Sequence, residues 1–179
     1  MDTGCRRGEV VGLKWKNVNL DHHIAKIESE LISTPSKGVY ESPTKTRKTR
    51  FIKFSDTTAE VLLTLKKIQD HNRKLFGNKW VETGYVFTQD NGDRMHPDSV
   101  TGWLADFSKK NGLPHIHPHA FRHTAASLMI ANGVDLVTAA AELGHANANT
   151  TAAIYAHQIA EQRALSADVR GSIFTVINE

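Results

Sequence analysis

At about residue 55 the spacing of the apolar residues changes, and that change limits the folds open to this chain. Before it, "HIAKIES" alternates apolar and polar positions, and "GVYESPTKTRKTRFIKF" is rich in Thr and aromatic residues. Pro, Gly and Ser separate these runs, so residues 22–54 read as a small antiparallel sheet. After it, Val61, Leu62, Leu65, Ile68 and Leu75 follow at helical spacing. Thr57 and Glu60 have the form of a capping box, which predicts a helix over 56–75. Pro97 and Gly112 bracket a further helix through Val100, Trp103, Leu104 and Phe107. Helices are also expected at about 118–132, 135–143 and 149–168, with Gly133 and Gly144 as C-terminal caps. A short helix is predicted over 7–15, and "YVFT" at 85–88 reads as a strand or extended piece. A short opening helix, then strands, then a run of helices give a mainly α fold with a small antiparallel β-sheet, an α+β class.

The chain of 179 residues fits one domain, and 40% hydrophobic residues suffice for a core. Its 22 Lys and Arg against 19 Asp and Glu give +3, a basic lean too small to argue for nucleic acid by itself. Cys5 is the single cysteine and cannot form an internal disulfide. No apolar leader opens the chain, and the uncharged run from Thr124 to Val134 is far short of the roughly 20 residues of a spanning helix. A cytoplasmic, membrane-free setting is therefore expected. "MDTG" leads at once into "CRRGEV" with no helix or strand before it, as expected of a piece of a longer protein.

Three clusters carry chemistry. Pro43 to Lys53 holds Lys45, Arg47, Lys48, Arg50 and Lys53 with no acidic residue, on a predicted hairpin. Such a strip suits a phosphate backbone, and it equally suits a solvated edge strand. "HPHAFRHTAASLMI" is the second cluster. Its alternate histidines and the His119/His123 pair are usable zinc spacings. No Asp or Glu lies between residues 107 and 134 to serve as ligand or to orient one. On a helix, His119, Arg122 and His123 share a face, and Phe121, Ala125 and Leu128 turn toward the core. A guanidinium fork beside an imidazole suits a phosphate, and the stretch equally suits a histidine-rich helix start of no special role. The third cluster, "LGHANANTTAAIYAH", sets His145 after Gly144 and puts Tyr155 near the start of the next helix.

Together these strings resemble the tyrosine recombinase, or phage-type integrase, family. "TGCRRGEV" is similar to its first arginine box, "TKTRKTRFI" to its hairpin lysine segment, "HAFRHT" to its H-x-x-R box, and "LGHANANTTAAIYAH" to its L-G-H box and nucleophile. All four stand in family order over residues 3–157. The resemblance covers the catalytic domain alone and implies Arg6, Lys45, His119, Arg122 and His145 as catalytic residues, with Tyr155 as the nucleophile. Arg47, Lys48 and Arg50 are then expected to touch DNA.

The implied reaction cleaves and rejoins DNA through a 3′-phosphotyrosyl link, leaving a free 5′-hydroxyl. A phenol with a pKa of about 10 is ionised in roughly one molecule per thousand near neutral pH, so attack needs help. Arg6 and Arg122 would neutralise charge on the non-bridging oxygens, and Lys45 would protonate the leaving oxygen. No cofactor, metal or ATP is expected, because the covalent link keeps the phosphodiester energy. With Arg122 in it, the His-rich stretch reads as a phosphate-holding face, and Glu9 as a structural group that orients an arginine. The resemblance further implies double-stranded DNA and other protomers, in a tetramer, as partners. The tail 158–179, ending in "SIFTVINE", is expected to dock on a neighbouring protomer or to pack back on its own domain. A type IB topoisomerase and an inactive DNA-binding module are the alternatives, with a metal hydrolase third.

Overall fold

The computed structural model of the chain describes residues 2–45 and 48–145. A short helix α1 (Arg7–Val11) opens it, followed by strands β1 (Val18–Asn19), β2 (Ile24–Ile27), β3 (Ser29–Thr34), β4 (Gly38–Pro43) and β5 (Arg50–Lys53). Helices α2 (Asp56–Phe76), α3 (Pro97–Lys110), α4 (Pro118–Ala131) and α5 (Leu136–Leu143) complete it. The mainly α fold with small antiparallel sheets is thus as expected. Strands β1, β2 and β5 form one antiparallel sheet in that order, and β3 and β4 form a separate hairpin. Among the described residues no helix is long and apolar enough to cross a membrane.

The first sheet packs on α2. Ala25, Ile27, Ile52 and Phe54 meet Ala59, Leu62 and Val86 in a core whose members are at most 7% exposed. Ser55, not Thr57, caps α2: its hydroxyl accepts from the Thr58 amide. The Asp2 carboxylate accepts from the Ser55 amide and from the hydroxyls of Ser55 and Thr58, which ties the chain start to this helix. Only one edge of the apolar stripe of α2 is covered. Ala59, Leu62 and Gln69 are buried, and Val61, Ile68 and Leu75 are exposed.

The extended piece at Tyr85–Thr88 forms single bridges, Lys14 to Tyr85 and Thr88 to Arg94, and not a strand. A side chain does the work of a ladder there. The buried Gln69 amide donates to the carbonyls of Tyr85 and Val86 and to the Thr88 hydroxyl, and its oxygen accepts from the Trp15 indole.

Two glycines bring α1 against β3. A Cβ on Gly8 would stand 2.8 Å from the Leu31 carbonyl oxygen, and one on Gly12 would stand 2.9 Å from the Leu31 nitrogen. Gly12 also ends α1 early, so the helix expected to reach residue 15 stops at Val11 and Trp15–Asn17 form a separate 3-10 turn. This backbone contact fixes the chain around Arg6.

Helices α4 and α5 form a second small core from Ala126, Ile130 and Leu143. After α4, the Gly133 and Val134 amides bond the carbonyls of Ile130 and Met129, an ending that needs the positive φ of Gly133. The buried line of α4 runs through Arg122, Ala125, Ala126 and Ile130. Leu128, expected in the core, is half exposed because it lies off that line.

Candidate active site

The site grows from one buried carboxylate. Glu9 sits in the first turn of α1, 1% exposed. Its Oε2 accepts from the Arg6 amide at 2.8 Å, and its Oε1 accepts from Arg6 Nη1 at 2.9 Å. Arg50 grips the same carboxylate end-on, Nη1 to Oε1 and Nη2 to Oε2, both at 2.8 Å. Burial by itself would push the Glu9 carboxyl up. The bonds and charge of Arg50, and then of Arg6, hold it below the usual carboxylate range. Glu9 therefore stays ionised, which is what a buried charge needs to be worth keeping.

The second half of the site is the end of α5. The last carbonyls of a helix lack intrahelical partners and carry partial negative charge. Three successive ones are each taken by a different arginine. Arg50 Nε donates to Glu142 O at 2.9 Å, Arg122 Nη2 to Leu143 O at 2.6 Å, and Arg6 Nη2 to Gly144 O at 2.9 Å. Arg122 also donates through Nη1 to Gly4 O at 2.8 Å. The guanidiniums of Arg6 and Arg122 thus rest on adjacent carbonyls, although the two residues lie on α4 and at the start of α1. Burial, and then the charge of Arg6, push Arg122 down to about 10, so it remains a cation at neutral pH.

His145 follows at once. Gly144 ends α5 in the left-handed region, φ 67° and ψ 41°, and the His145 amide bonds Ala140 O at 2.9 Å. Burial, and then the charges of Arg122 and Arg6, push the His145 imidazole down to about 4. His119 is also lowered, by burial first and then by His123 and Arg122. Near neutral pH both rings are neutral, each able to donate one hydrogen and accept another.

His119 and Arg6 line a cavity of about 220 Å³ together with Arg7, Glu30 and Asp98. Burial, and then the nearby Glu9, push the Glu30 carboxyl up, while Arg6 and Lys45 act the other way. That coupling puts Lys45 within electrostatic reach of this cavity. Lys45 stands exposed on the turn after β4, and the Thr44 hydroxyl donates to Lys48 O at 3.1 Å across the loop.

Arg6, Arg122 and His145 are therefore brought together around the end of α5, with His119 on the cavity that Arg6 also lines and Lys45 in electrostatic range of Glu30. Lys48 is exposed beside the loop. Arg47 and Tyr155 lie outside the described residues, as do the predicted helix 149–168 and the tail 158–179. Arg50 departs from the expectation of a DNA-facing side chain: its head is turned inward and is 11% exposed. The strand parity explains this, since Arg50 shares its side of β5 with buried Ile52 and, two residues on, Phe54. That same parity was the signal available in the sequence. Glu9 meets the expectation of a structural carboxylate, but it orients two arginines. On α4, Arg122 is buried, and His119 and His123 are exposed beside it. Among the described residues no three His, Cys, Asp or Glu side chains gather as a metal group.

The chain is similar to known proteins in sequence and in fold. The sequence pattern of the Phage integrase family matches residues 1–162. A tyrosine recombinase XerC-like protein of Caldanaerobacter subterraneus is 26% identical over 96% of this chain and 47% of its own length. The integrase of Staphylococcus phage L54a is 27% identical over 87% of this chain and 45% of its own. The chain thus spans about half the length of these relatives. Among solved structures, the Tn1549 transposon integrase in complex with a circular intermediate DNA is similar at a TM-score of 0.75 and 25% identity, over 87% of this chain and 51% of that one. XerA recombinase shares the fold at a TM-score of 0.67.

Proposed function

The chain belongs to the phage integrase family, and from that premise we propose that it carries the chemistry of a site-specific DNA recombinase, cutting and rejoining strands through Tyr155. The observation that carries this reading is the pair of guanidiniums, Arg6 and Arg122, anchored on the adjacent carbonyls of Gly144 and Leu143 beside His145. Each fork is held by backbone or Glu9 contacts before any ligand arrives. A phosphodiester between them would meet fixed positive charge, which stabilises a pentacoordinate transition state without reorganisation at the moment of reaction.

In the proposed step the Tyr155 phenol gives its proton to a neutral imidazole of the site, its oxygen forms a bond to phosphorus, and the bond from phosphorus to the 5′-oxygen breaks. The DNA 3′-phosphate is then held on tyrosine. The leaving oxygen takes a proton from Lys45 and becomes a 5′-hydroxyl. His119 and His145, neutral beforehand, assist proton transfer and donate to the non-bridging oxygens. Rejoining is the reverse attack by a 5′-hydroxyl, so the bond energy is conserved and no ATP is spent. Double-stranded DNA is the substrate, contacted by Arg47 and Lys48, and exchange between two duplexes is carried out by a tetramer of protomers. The phage and transposon integrases among the similar proteins support a role in moving a mobile element.

The test is a denaturing gel of the chain incubated with labelled, nicked DNA in EDTA, next to Tyr155→Phe. A slow band present only in the unsubstituted chain is the expected result. Bound DNA without any such band would contradict the reading.

A further inference from the structure

We propose that Arg50 is a positioning residue, which locks the Arg6 turn to the end of α5 and does not itself contact DNA; this rests on the strand-cleavage reading above. Arg50 uses its guanidinium in two directions at once. Its end-on edge takes both oxygens of Glu9 at 2.8 Å, and its Nε takes Glu142 O at 2.9 Å. The remaining Nη2 hydrogen faces Cys5 Sγ at 3.8 Å. With the side chain 11% exposed, little of this charge is left for a phosphate. Lys48, nearby on the loop, is exposed and carries its charge outward.

The contacts of Arg50 reach both Glu9 and the end of α5, the two halves of the arginine cluster. Through Glu9 it fixes the carboxylate that also holds the amide and Nη1 of Arg6. Through Glu142 O it holds α5 one residue before the carbonyl that Arg122 uses and two before the one that Arg6 uses. Its own backbone is set by the pairing of β5 with β2, where Arg50 faces Ile27, so the strand leaving the Lys45 loop is the arm that carries it. Gly144 completes the fit. A Cβ there would stand 2.8 Å from Arg50 Nη1 and 2.9 Å from Cζ, so the guanidinium lies flat against the backbone just before His145.

Lysine cannot replace this group. An ammonium is a point donor and cannot hold a carboxylate end-on while bonding a carbonyl to its side. Misplacement of reacting groups by about 1 Å costs on the order of 100-fold in rate.

The experiment compares the unsubstituted chain with Arg50→Ala, Arg50→Lys and the double variant Glu9→Gln with Arg50→Gln. The double variant removes both charges together, so it serves if Arg50→Ala alone does not fold. Single-turnover cleavage of nicked DNA at saturating protein is read beside DNA affinity. Expected are a cleavage rate lowered about 100-fold in all three and an affinity within about 2-fold of the unsubstituted chain. A second readout needs no activity: the ring resonances of His145 followed by NMR against pH. They are expected to move in Arg50→Lys, which keeps the charge and loses the geometry. If Arg50→Lys leaves either the cleavage rate or the His145 resonances unchanged, or if affinity falls while cleavage at saturation holds, the proposal is overturned. Absence of an adduct in the unsubstituted chain would instead count against the cleavage reading, and the His145 resonances would still decide the role of Arg50.

Discussion

Arg122 Nη1 donates to the carbonyl oxygen of Gly4 at 2.8 Å across a sequence separation of 118 residues. A side chain deep in α4 thereby holds the strand of backbone that delivers Arg6. The contact needs glycine at position 4: φ is +58°, and an added Cβ would stand 2.5 Å from Leu143 Cδ2. Both the left-handed backbone and the overlap act against any other residue there. Gly4→Ala is expected to lower stability by roughly 1–3 kcal/mol, read as a shift of the urea midpoint at unchanged slope. An unchanged midpoint would mean that this approach is looser than described.

Arg122→Lys keeps a cation at the same place but cannot bond both Gly4 O and Leu143 O. Removing one preorganised donor to developing charge typically costs about 100-fold or more in rate. The substituted chain is expected to bind DNA nearly as well and to cleave it at least about 100-fold more slowly, measured by single-turnover assay. Equal rates for Arg and Lys would show that charge alone suffices.

The His145 imidazole is pushed from its ordinary 6.5 down to about 4. Over that window the unfolded chain binds more protons than the folded one, so stability rises with pH between about 4 and 6.5 and is lost as pH falls through it. His145→Asn is expected to flatten part of this slope in denaturation series at several pH values. A phosphate at the site favours the charged ring, so bound DNA should raise the His145 midpoint, visible in the ring resonances. A midpoint that ignores DNA would place the phosphate elsewhere.

Glu30 lines the same cavity as Arg6, Arg7 and His119, and burial, and then Glu9, push its carboxyl up from its ordinary value. It remains an acid facing the place where a phosphate is expected. Glu30→Gln should tighten DNA binding by roughly 2- to 5-fold at about 0.1 M salt, and the gain should shrink as salt rises. Fluorescence anisotropy over a salt series checks it, and weaker binding would give Glu30 a supporting role instead.

Helix ends were legible because their chemistry is local. Pro97 opens α3, Gly133 and Gly144 end α4 and α5, and each acts through its own backbone. The sheet region was legible from alternation and turn residues. What escaped was set by partners distant in the chain. Tyr85–Thr88 reads as a strand or extended piece, and the extended piece is found, its Tyr85 and Val86 carbonyls taken by the Gln69 side chain. Ser55 caps α2 in place of Thr57, with Asp2 closing the turn from more than fifty positions away. Arg6, His119, Arg122 and His145 are candidates that short strings suggest through their resemblance to family boxes, each of which is local in the chain. That three arginines converge on the last carbonyls of α5 could not be read from such strings, since it needs β5, α4 and the start of α1 in contact. Only the inward parity of Arg50 with Ile52 hinted at it.

The most direct measurement is the chemical identity of the covalent product. The chain is incubated with nicked DNA in EDTA, digested, and its peptides are weighed by mass spectrometry after nuclease trimming. A nucleotide linked through its 3′-phosphate to the peptide carrying Tyr155, with fragmentation assigning the mass to that tyrosine, is the result this account expects. A link to another residue, or a chain that binds the DNA and stays unmodified, would contradict it.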